Sequence, residues 1–260
     1  AKLSLWVAEY QMNKRFEVVV GERPPDLPLR RGGQITRGNA LRLNWEEVCP
    51  INIDEAGETY IVGNPPYLGH KERSDEQRED MRVVFKGRIP KWGQLDYVSC
   101  WFVKSSDYCR GRKVAFALVA TNSVCQGRQV PLLWPITLSN GLEIGFSHTS
   151  FKWSNNAANN AGVTCVIVGV RNASIAPRYL FEEGNRKSAS KINAYLVDSD
   201  EVYVRSRNKP LSIQLPPMQF GNMPNDGGHL LLSDLEKNEL LKVEPRAQQF
   251  IRTYVSAHEF

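Results

Sequence analysis

The stretch Asn64-Pro65-Pro66-Tyr67 carries the residue types of this 260-residue sequence that are best suited to chemistry. Two consecutive prolines fix two φ angles and remove two backbone donors, so the carbonyls of Asn64 and Pro65 and the Asn64 amide are held rigidly. Such a loop offers acceptors to an amino group. The Tyr67 ring adds a face on which a flat heterocycle can stack, worth about 1–3 kcal/mol per base. The alternative on four residues alone is a proline-stiffened turn with a surface tyrosine.

The elements around this loop favour a binding role. A β-branched run at 59–62 predicts a strand that ends at the loop, and ligands of open α/β sheets bind at the carboxyl ends of strands. Strands alternating with helices over 1–170 indicate an α/β layer structure. Predicted helices cover 1–20, 71–86, 94–110 and 123–134, and predicted strands cover 59–62, 114–120, 142–146 and 164–170.

The character of the chain changes after Arg171, and we place a domain boundary near 175. Short strands are predicted at 192–197 and 201–204, followed by a passage rich in Pro and Gly. The spacing of Ser233 and Glu236 is that of a capping box, which predicts the start of a helix. Glu244-Pro245 predicts the start of another.

Composition restricts the class of protein. The formal net charge of +5 allows a polyanionic partner without requiring one, and the two basic stretches, 71–91 and 171–209, also contain acidic residues, as a solvated surface does. No apolar window reaches the roughly 18–20 residues of a membrane span, and a signal peptide is absent from the first residues, so we expect a cytoplasmic location without membrane contact. Five cysteines without a Cys-x-x-Cys pair and four scattered histidines predict no disulfide framework and no metal site.

The chain resembles the amino-directed DNA methyltransferases, because Asn64-Pro65-Pro66-Tyr67 matches their catalytic tetrapeptide. Within them it is similar to the large adenine-N6 methyltransferases fused to restriction functions, types IIG and IIL. The similarity extends over nearly the whole chain. Its further segments are 5–13, 38–41, 96–98, 121–127, 151–153 and 220–228.

The resemblance implies a partial Rossmann-like fold that uses S-adenosylmethionine, followed by a C-terminal extension of mixed α+β. Residues 1–175 would form part of the methyltransferase catalytic domain. Residues 176–260 would connect it toward a target-recognition domain. Duplex DNA is the implied partner, together with the remainder of the same polypeptide.

The resemblance also implies a reaction in which an adenine is flipped out of the duplex and methylated on its N6 amino group. Asn64 and the Pro65 carbonyl would accept hydrogen bonds from that amino group, in the loop that Pro66 helps to stiffen. Tyr67, Phe151 and Trp153 would stack on or beside the base. Alignment then supplies most of the acceleration, and a His or carboxylate base is not required.

The implied cofactor contacts carry structural alternatives. Asn39, Ala40 and Leu41 look like the segment that contacts the adenine of S-adenosylmethionine, yet Asn after Gly is also ordinary turn chemistry. Asp96 could serve the cofactor side, although an acid at the start of a helix is stabilising in its own right.

The sequence departs from the family at one point, since no Gly-x-Gly occurs in its 260 residues. We therefore expect the family's glycine-rich cofactor loop, its ribose-binding acid and any nuclease module to lie outside these residues. We expect a middle piece of a longer polypeptide that is inactive alone. Two other functions stay open: methylation of a protein glutamine amide or an RNA base, and a non-catalytic scaffold that positions DNA.

Overall fold

The chain was examined as a computed structural model, which describes residues 2–22, 35–51, 57–69, 72–152, 163–207, 210, 212, 214–215 and 226–254. Two compact units are distinguished, Ala1–Ser206 and Arg207–Phe260. None of the helices in the described part is long and apolar enough to cross a membrane.

The described residues of the first unit form five α-helices and a six-stranded sheet. The helices are α1 (Lys2–Val20), α2 (Trp45–Val48), α3 (Asp75–Phe85), α4 (Ser99–Cys109) and α5 (Val130–Thr137). The strands are β1 (Thr59–Gly63), β2 (Val114–Thr121), β3 (Leu142–Lys152), β4 (Thr164–Asn172), β5 (Arg178–Glu182) and β6 (Asn185–Ala189). This mixture confirms the predicted α/β class.

The sheet has the strand order β1-β2-β4-β3-β5-β6. β1 and β2 are parallel, as are β3 and β5, whereas β4 runs antiparallel to both β2 and β3. Because β1, β2 and β3 share one direction, their carboxyl ends meet at the same edge of the sheet as the start of β4. The arrangement is consistent with a Rossmann-like fold.

The two faces of the sheet differ. Burial alternates strictly along β2, and its fully buried side chains face α4 and α5, where Phe102 contacts Trp134 edge-on with ring centroids 5.6 Å apart. The opposite face borders an open cleft of about 1290 Å³, lined by residues that include Ala115, Phe146 and His148. Phe102 and Phe116 are both buried in this core.

Two helices differ from their predicted bounds. α4 begins at Ser99 rather than near 94, because a 3-10 turn at Trp92–Gln94 and the bend at Leu95 precede it. α5 begins at Val130 rather than at 123, because the 3-10 turn Asn122–Cys125 comes first, and it continues through Pro135 to Thr137 instead of ending at the proline. A proline near the end of so short a helix forgoes a single intrahelical bond. The Thr137 hydroxyl donates to the Leu133 carbonyl at 3.0 Å within the same last turn.

The predicted strands at 192–197 and 201–204 are wrong. Residues 192–197 form a turn in which the side-chain oxygen of Asn193 accepts from the amides of Tyr195 and Val197, and Leu196 has a φ of 60°. The β5–β6 hairpin was not predicted. It turns at Glu183-Gly184, whose φ angles of 49° and 81° suit the tight two-residue turn that joins twisted strands.

The second unit contains α6 (Asp234–Val243) and confirms the predicted capping box. The Ser233 hydroxyl accepts from the Glu236 amide, and the Glu236 carboxylate accepts from the Ser233 amide at 2.8 Å. Glu244-Pro245 opens a 3-10 helix, Pro245–Gln249, instead of an α-helix. The domain boundary near 175 stays a prediction, although β5 and β6, which follow it, pair within the sheet of the first unit.

Gly169 of β4 leaves room for the ring of its cross-strand partner Phe146. A Cβ atom at position 169 would lie 2.1 Å from that ring, so Gly169→Ala must displace it and is expected to lower the free energy of unfolding by about 1–3 kcal/mol. Urea unfolding measures this change. Gly93→Ala is the matched control, since a Cβ there meets no atom within 4 Å. Equal stability of the two variants would contradict the close packing.

Candidate active site

The loop Asn64-Pro65-Pro66-Tyr67 leaves the sheet at the carboxyl end of β1, immediately after Gly63. Asn64 and Pro66 are exposed, Pro65 is buried and Tyr67 is half-buried. The buried proline fixes the loop against the protein, while the Asn64 amide remains open to a ligand. The loop differs from the alternative, a proline-stiffened turn with a surface tyrosine, because Tyr67 is half-buried while the polar Asn64 faces outward.

The Tyr67 side chain contacts the start of β4. Its hydroxyl hydrogen-bonds with the thiol of Cys165, and burial together with this neighbour raises the pKa of Tyr67. Cys165 pairs with Thr121 at the end of β2 and with Phe151 near the end of β3. Directly paired residues share a face of the sheet, so Tyr67 and Phe151 flank the same thiol. Of the predicted stacking residues, these two come together, and Trp153 lies outside the described residues.

The far end of the loop is fixed by Asp96. One carboxylate oxygen of Asp96 accepts from the Leu68 amide at 2.8 Å, and the other accepts from the Thr121 hydroxyl at 3.3 Å. The Tyr97 amide donates to the Leu68 carbonyl at 3.2 Å. The Asp96 amide is itself held at 2.9 Å by the side-chain oxygen of Gln129. The loop is thus attached at both ends, to β1 and to the residues before α4.

The segment predicted to contact the cofactor is organised by the buried carboxylate of Asp80. That carboxylate accepts from the Asn39 amide at 2.9 Å, from the Arg42 guanidinium at 2.6 Å and from the Tyr97 hydroxyl at 2.8 Å. Burial opposes its charge, but these three donors lower the pKa of Asp80. Burial and the same carboxylate raise the pKa of Tyr97. The side-chain oxygen of Asn39 accepts from the Leu41 amide at 3.0 Å.

The residues present fit the adenine part of S-adenosylmethionine. An Asn side chain offers two donor and two acceptor positions, and the contacts to Asp80 and Leu41 use one of each for Asn39. The half-buried Asn39 and Ala40 therefore keep a donor and an acceptor in a fixed turn, as an adenine edge requires. That Asn39, Ala40 and Leu41 bind the cofactor stays a prediction.

Several residues of the site were not predicted. These are Cys165, which contacts Tyr67, and Thr121 and Gln129, which bond to Asp96. All three lie far from the loop in the sequence. The tail at 220–228 lies mostly outside the described residues. In the described part of the chain, no group of three or more His, Cys, Asp or Glu side chains is placed to hold a metal ion.

The contact between Tyr67 and Cys165 predicts a change in thiol reactivity. Burial raises the pKa of Cys165, so its thiol should react slowly with iodoacetamide, whereas the exposed Cys49 should react first. Tyr67→Ala removes the side chain whose hydroxyl bonds to the Cys165 thiol, which should expose the thiol and raise its labelling rate about tenfold or more. Mass spectrometry of the labelled peptides measures this rate.

Cys125 is the internal control for that experiment, because it is buried and burial raises its pKa. Its labelling should stay slow in both proteins. A variant in which Cys165 and Cys125 become reactive together would indicate unfolding, and an unchanged Cys165 would contradict the contact.

Comparison with known proteins gives two family matches. Residues 1–182 match the family described as MmeI, DNA-methyltransferase domain, and residues 198–260 match the MmeI target recognition domain. A curated relative, DNA methyltransferase A of Bacillus subtilis (strain 168), is 42% identical over 262 residues. A solved structure of the Type IIL restriction-modification enzyme MmeI in complex with DNA superposes with a TM-score of 0.79 and 34% identity, and covers 98% of this chain.

The relatives are longer than this chain. The match with the Bacillus subtilis protein spans 100% of this chain but 29% of that protein. The match with MmeI covers 34% of the MmeI chain. The boundary between the two matched ranges lies between 182 and 198, and the two compact units divide after Ser206.

Proposed function

The chain belongs to the family of the MmeI DNA-methyltransferase domain, and on that basis we propose that it methylates the N6 amino group of a flipped adenine in duplex DNA. The proposed donor is S-adenosylmethionine, and the proposed setting is a cytoplasmic restriction-modification enzyme. The relatives are about three times as long as the chain. The proposal therefore assigns the rest of the cofactor site, and any nuclease, to polypeptide outside these 260 residues.

The observation that carries the proposal is the Asn64-Pro65-Pro66-Tyr67 loop at the carboxyl end of β1, with Tyr67 and Phe151 both next to Cys165. An extruded base costs a few kcal/mol of stacking and pairing. Two aromatic rings beside an exposed amide can offset that cost by stacking and hydrogen bonding. A planar heterocycle with an exocyclic amino group is a ligand that such groups can recognise by stacking and hydrogen bonding.

In this proposal the side-chain oxygen of Asn64 and the Pro65 carbonyl each accept a hydrogen bond from the adenine amino group. Accepting them shifts electron density onto a weakly nucleophilic nitrogen and turns its lone pair out of the acceptor plane. S-adenosylmethionine, when bound, supplies an electrophilic methyl carbon. Alignment of the two reactants contributes most of the acceleration, and the amino proton leaves to solvent after the transfer.

DNA is favoured over a glutamine amide or an RNA base because residues 198–260 match a target recognition domain. The solved MmeI structure is described as a complex with DNA. A small amide substrate would have no use for such an extension.

The full-length protein tests this proposal. It is incubated with labelled S-adenosylmethionine and genomic DNA from a host without adenine methylation, and the nucleosides are identified by mass spectrometry. N6-methyladenine is the expected product. Parallel incubations contain cellular protein or RNA in place of the DNA. Label in either of them, and none in DNA, would favour the first alternative function, and no transfer to any acceptor would favour the non-catalytic scaffold.

A further inference from the structure

Asp96 and Tyr97 are neighbours in sequence but hold two different parts of the site. The Asp96 carboxylate holds Leu68, which ends the catalytic loop, at 2.8 Å. The Tyr97 hydroxyl holds Asp80 at 2.8 Å, and Asp80 holds Asn39 at 2.9 Å. One dipeptide is therefore bonded to the loop on one side and to the predicted cofactor segment on the other.

We propose that Asp96-Tyr97 is a positioning bridge that sets the catalytic loop and the cofactor segment in register with each other. The inference rests on the proposed function. It assigns Asp96 to the loop, where the sequence had suggested the cofactor side.

The bridge stands on a rigid support. Asp96 and Tyr97 are both buried, and they lead into α4, whose Phe102 and Val103 are fully buried in the core. Lys104, two turns later, donates to the Leu41 carbonyl at 2.8 Å and so joins α4 itself to the cofactor segment. A side chain fixed by packing and by neighbouring hydrogen bonds can hold reacting groups to the accuracy that chemistry requires.

A purely local role does not account for these bonds. Asp96 does accept from the Val98 amide at 3.2 Å, as a residue that starts a helix often does. Its bonds to Leu68 and Thr121, however, join residues 28 and 25 positions away. Capping of α4 would require neither of them.

Two neighbouring substitutions separate the two arms of the bridge in the full-length protein. Asp96→Ala removes the acceptor of the Leu68 amide and is expected to lower kcat about tenfold and to raise the KM for DNA, with the KM for S-adenosylmethionine unchanged. Tyr97→Phe removes the donor to Asp80. It is expected to raise the KM for S-adenosylmethionine about fivefold, with kcat and the KM for DNA unchanged.

Two further variants serve as controls. Asp96→Asn keeps a side-chain oxygen for the Leu68 amide and should restore kcat to within about threefold of wild type. Asp107→Asn changes an acid of α4 that pairs with Arg88 on the surface, at 2.6 Å, and should leave every constant unchanged. If Asp96→Ala fails to fold, Gln129→Ala takes its place, because it removes the acceptor that holds the Asp96 amide at 2.9 Å and so weakens the same arm of the bridge.

Hydrogen exchange of the peptide that spans 64–69 provides a measurement independent of activity. Exchange should rise in Asp96→Ala and stay at the wild-type rate in Tyr97→Phe. A wild-type protein that methylates no DNA would refute the proposed function while this measurement still tests the bridge. Unchanged exchange in Asp96→Ala, or identical kinetic changes in the two variants, would overturn the bridge.

Discussion

Asn64→Ala is expected to reduce kcat for methyl transfer about 10²–10³-fold, the effect of removing one preorganised polar group from a reacting centre. The exposed amide of Asn64 contributes an acceptor that is needed when the amino nitrogen attacks. Burial of Pro65 and the bonds at Leu68 keep the rest of the loop in place. The loss should therefore fall on kcat. Single-turnover assays with labelled S-adenosylmethionine measure it directly.

Asn64→Asp is the matched control for that variant, because it keeps the acceptor oxygens while it removes the amide donor. It should retain more activity than the alanine variant. Thermal unfolding of both should match that of wild type, since the side chain is exposed. An alanine variant with more than a tenth of the wild-type kcat would refute the role of Asn64.

Local signals in the sequence predicted those parts of the fold and of the site that depend on interactions between neighbouring residues of the chain. The β-branched run before Asn64 predicted β1, and two prolines predicted a stiff loop at its end. The capping box at Ser233 predicted the start of α6 because both of its bonds are made within four residues. In each case the decisive interaction lies inside a short window of sequence.

The remaining parts depend on contacts that a short window does not contain. Cys165 comes beside Tyr67 because β4 inserts antiparallel between β2 and β3, and no local pattern encodes that strand order. Asp96 had the sequence signature of a helix start, and only the fold brings Leu68 to it. At 192–197 an apolar run predicted a strand, yet the Asn193 side chain competes for the backbone amides and closes a turn.

The Glu183-Gly184 turn shows the opposite case, in which a usable signal was present. A glycine after a polar residue, between two runs of strand length, favours a two-residue hairpin. The hairpin extends the sheet past 175 by β5 and β6. A boundary placed from the change in composition alone therefore divides residues that pair in one sheet.

Tyr67→Ala is expected to lower kcat/KM for DNA by roughly 5- to 150-fold, the equivalent of about 1–3 kcal/mol of lost stacking. Tyr67→Phe keeps the ring and loses the hydroxyl that contacts Cys165. A net hydrogen bond contributes about 0.5–1.5 kcal/mol, so the Phe variant should fall between wild type and Ala. Steady-state assays on a duplex that contains the methylated adenine site give the three values.

Because the Tyr67 hydroxyl contacts Cys165, the Phe variant tests that contact separately from the stacking of the ring. If the hydroxyl acts by holding the ring against Cys165, Cys165→Ala should cause a similar small loss, and the double variant Tyr67→Phe with Cys165→Ala should lose no more than either single one. Additive losses would indicate that the hydroxyl and the thiol act separately. A Phe variant as impaired as Ala would show that the ring face is not what holds the base.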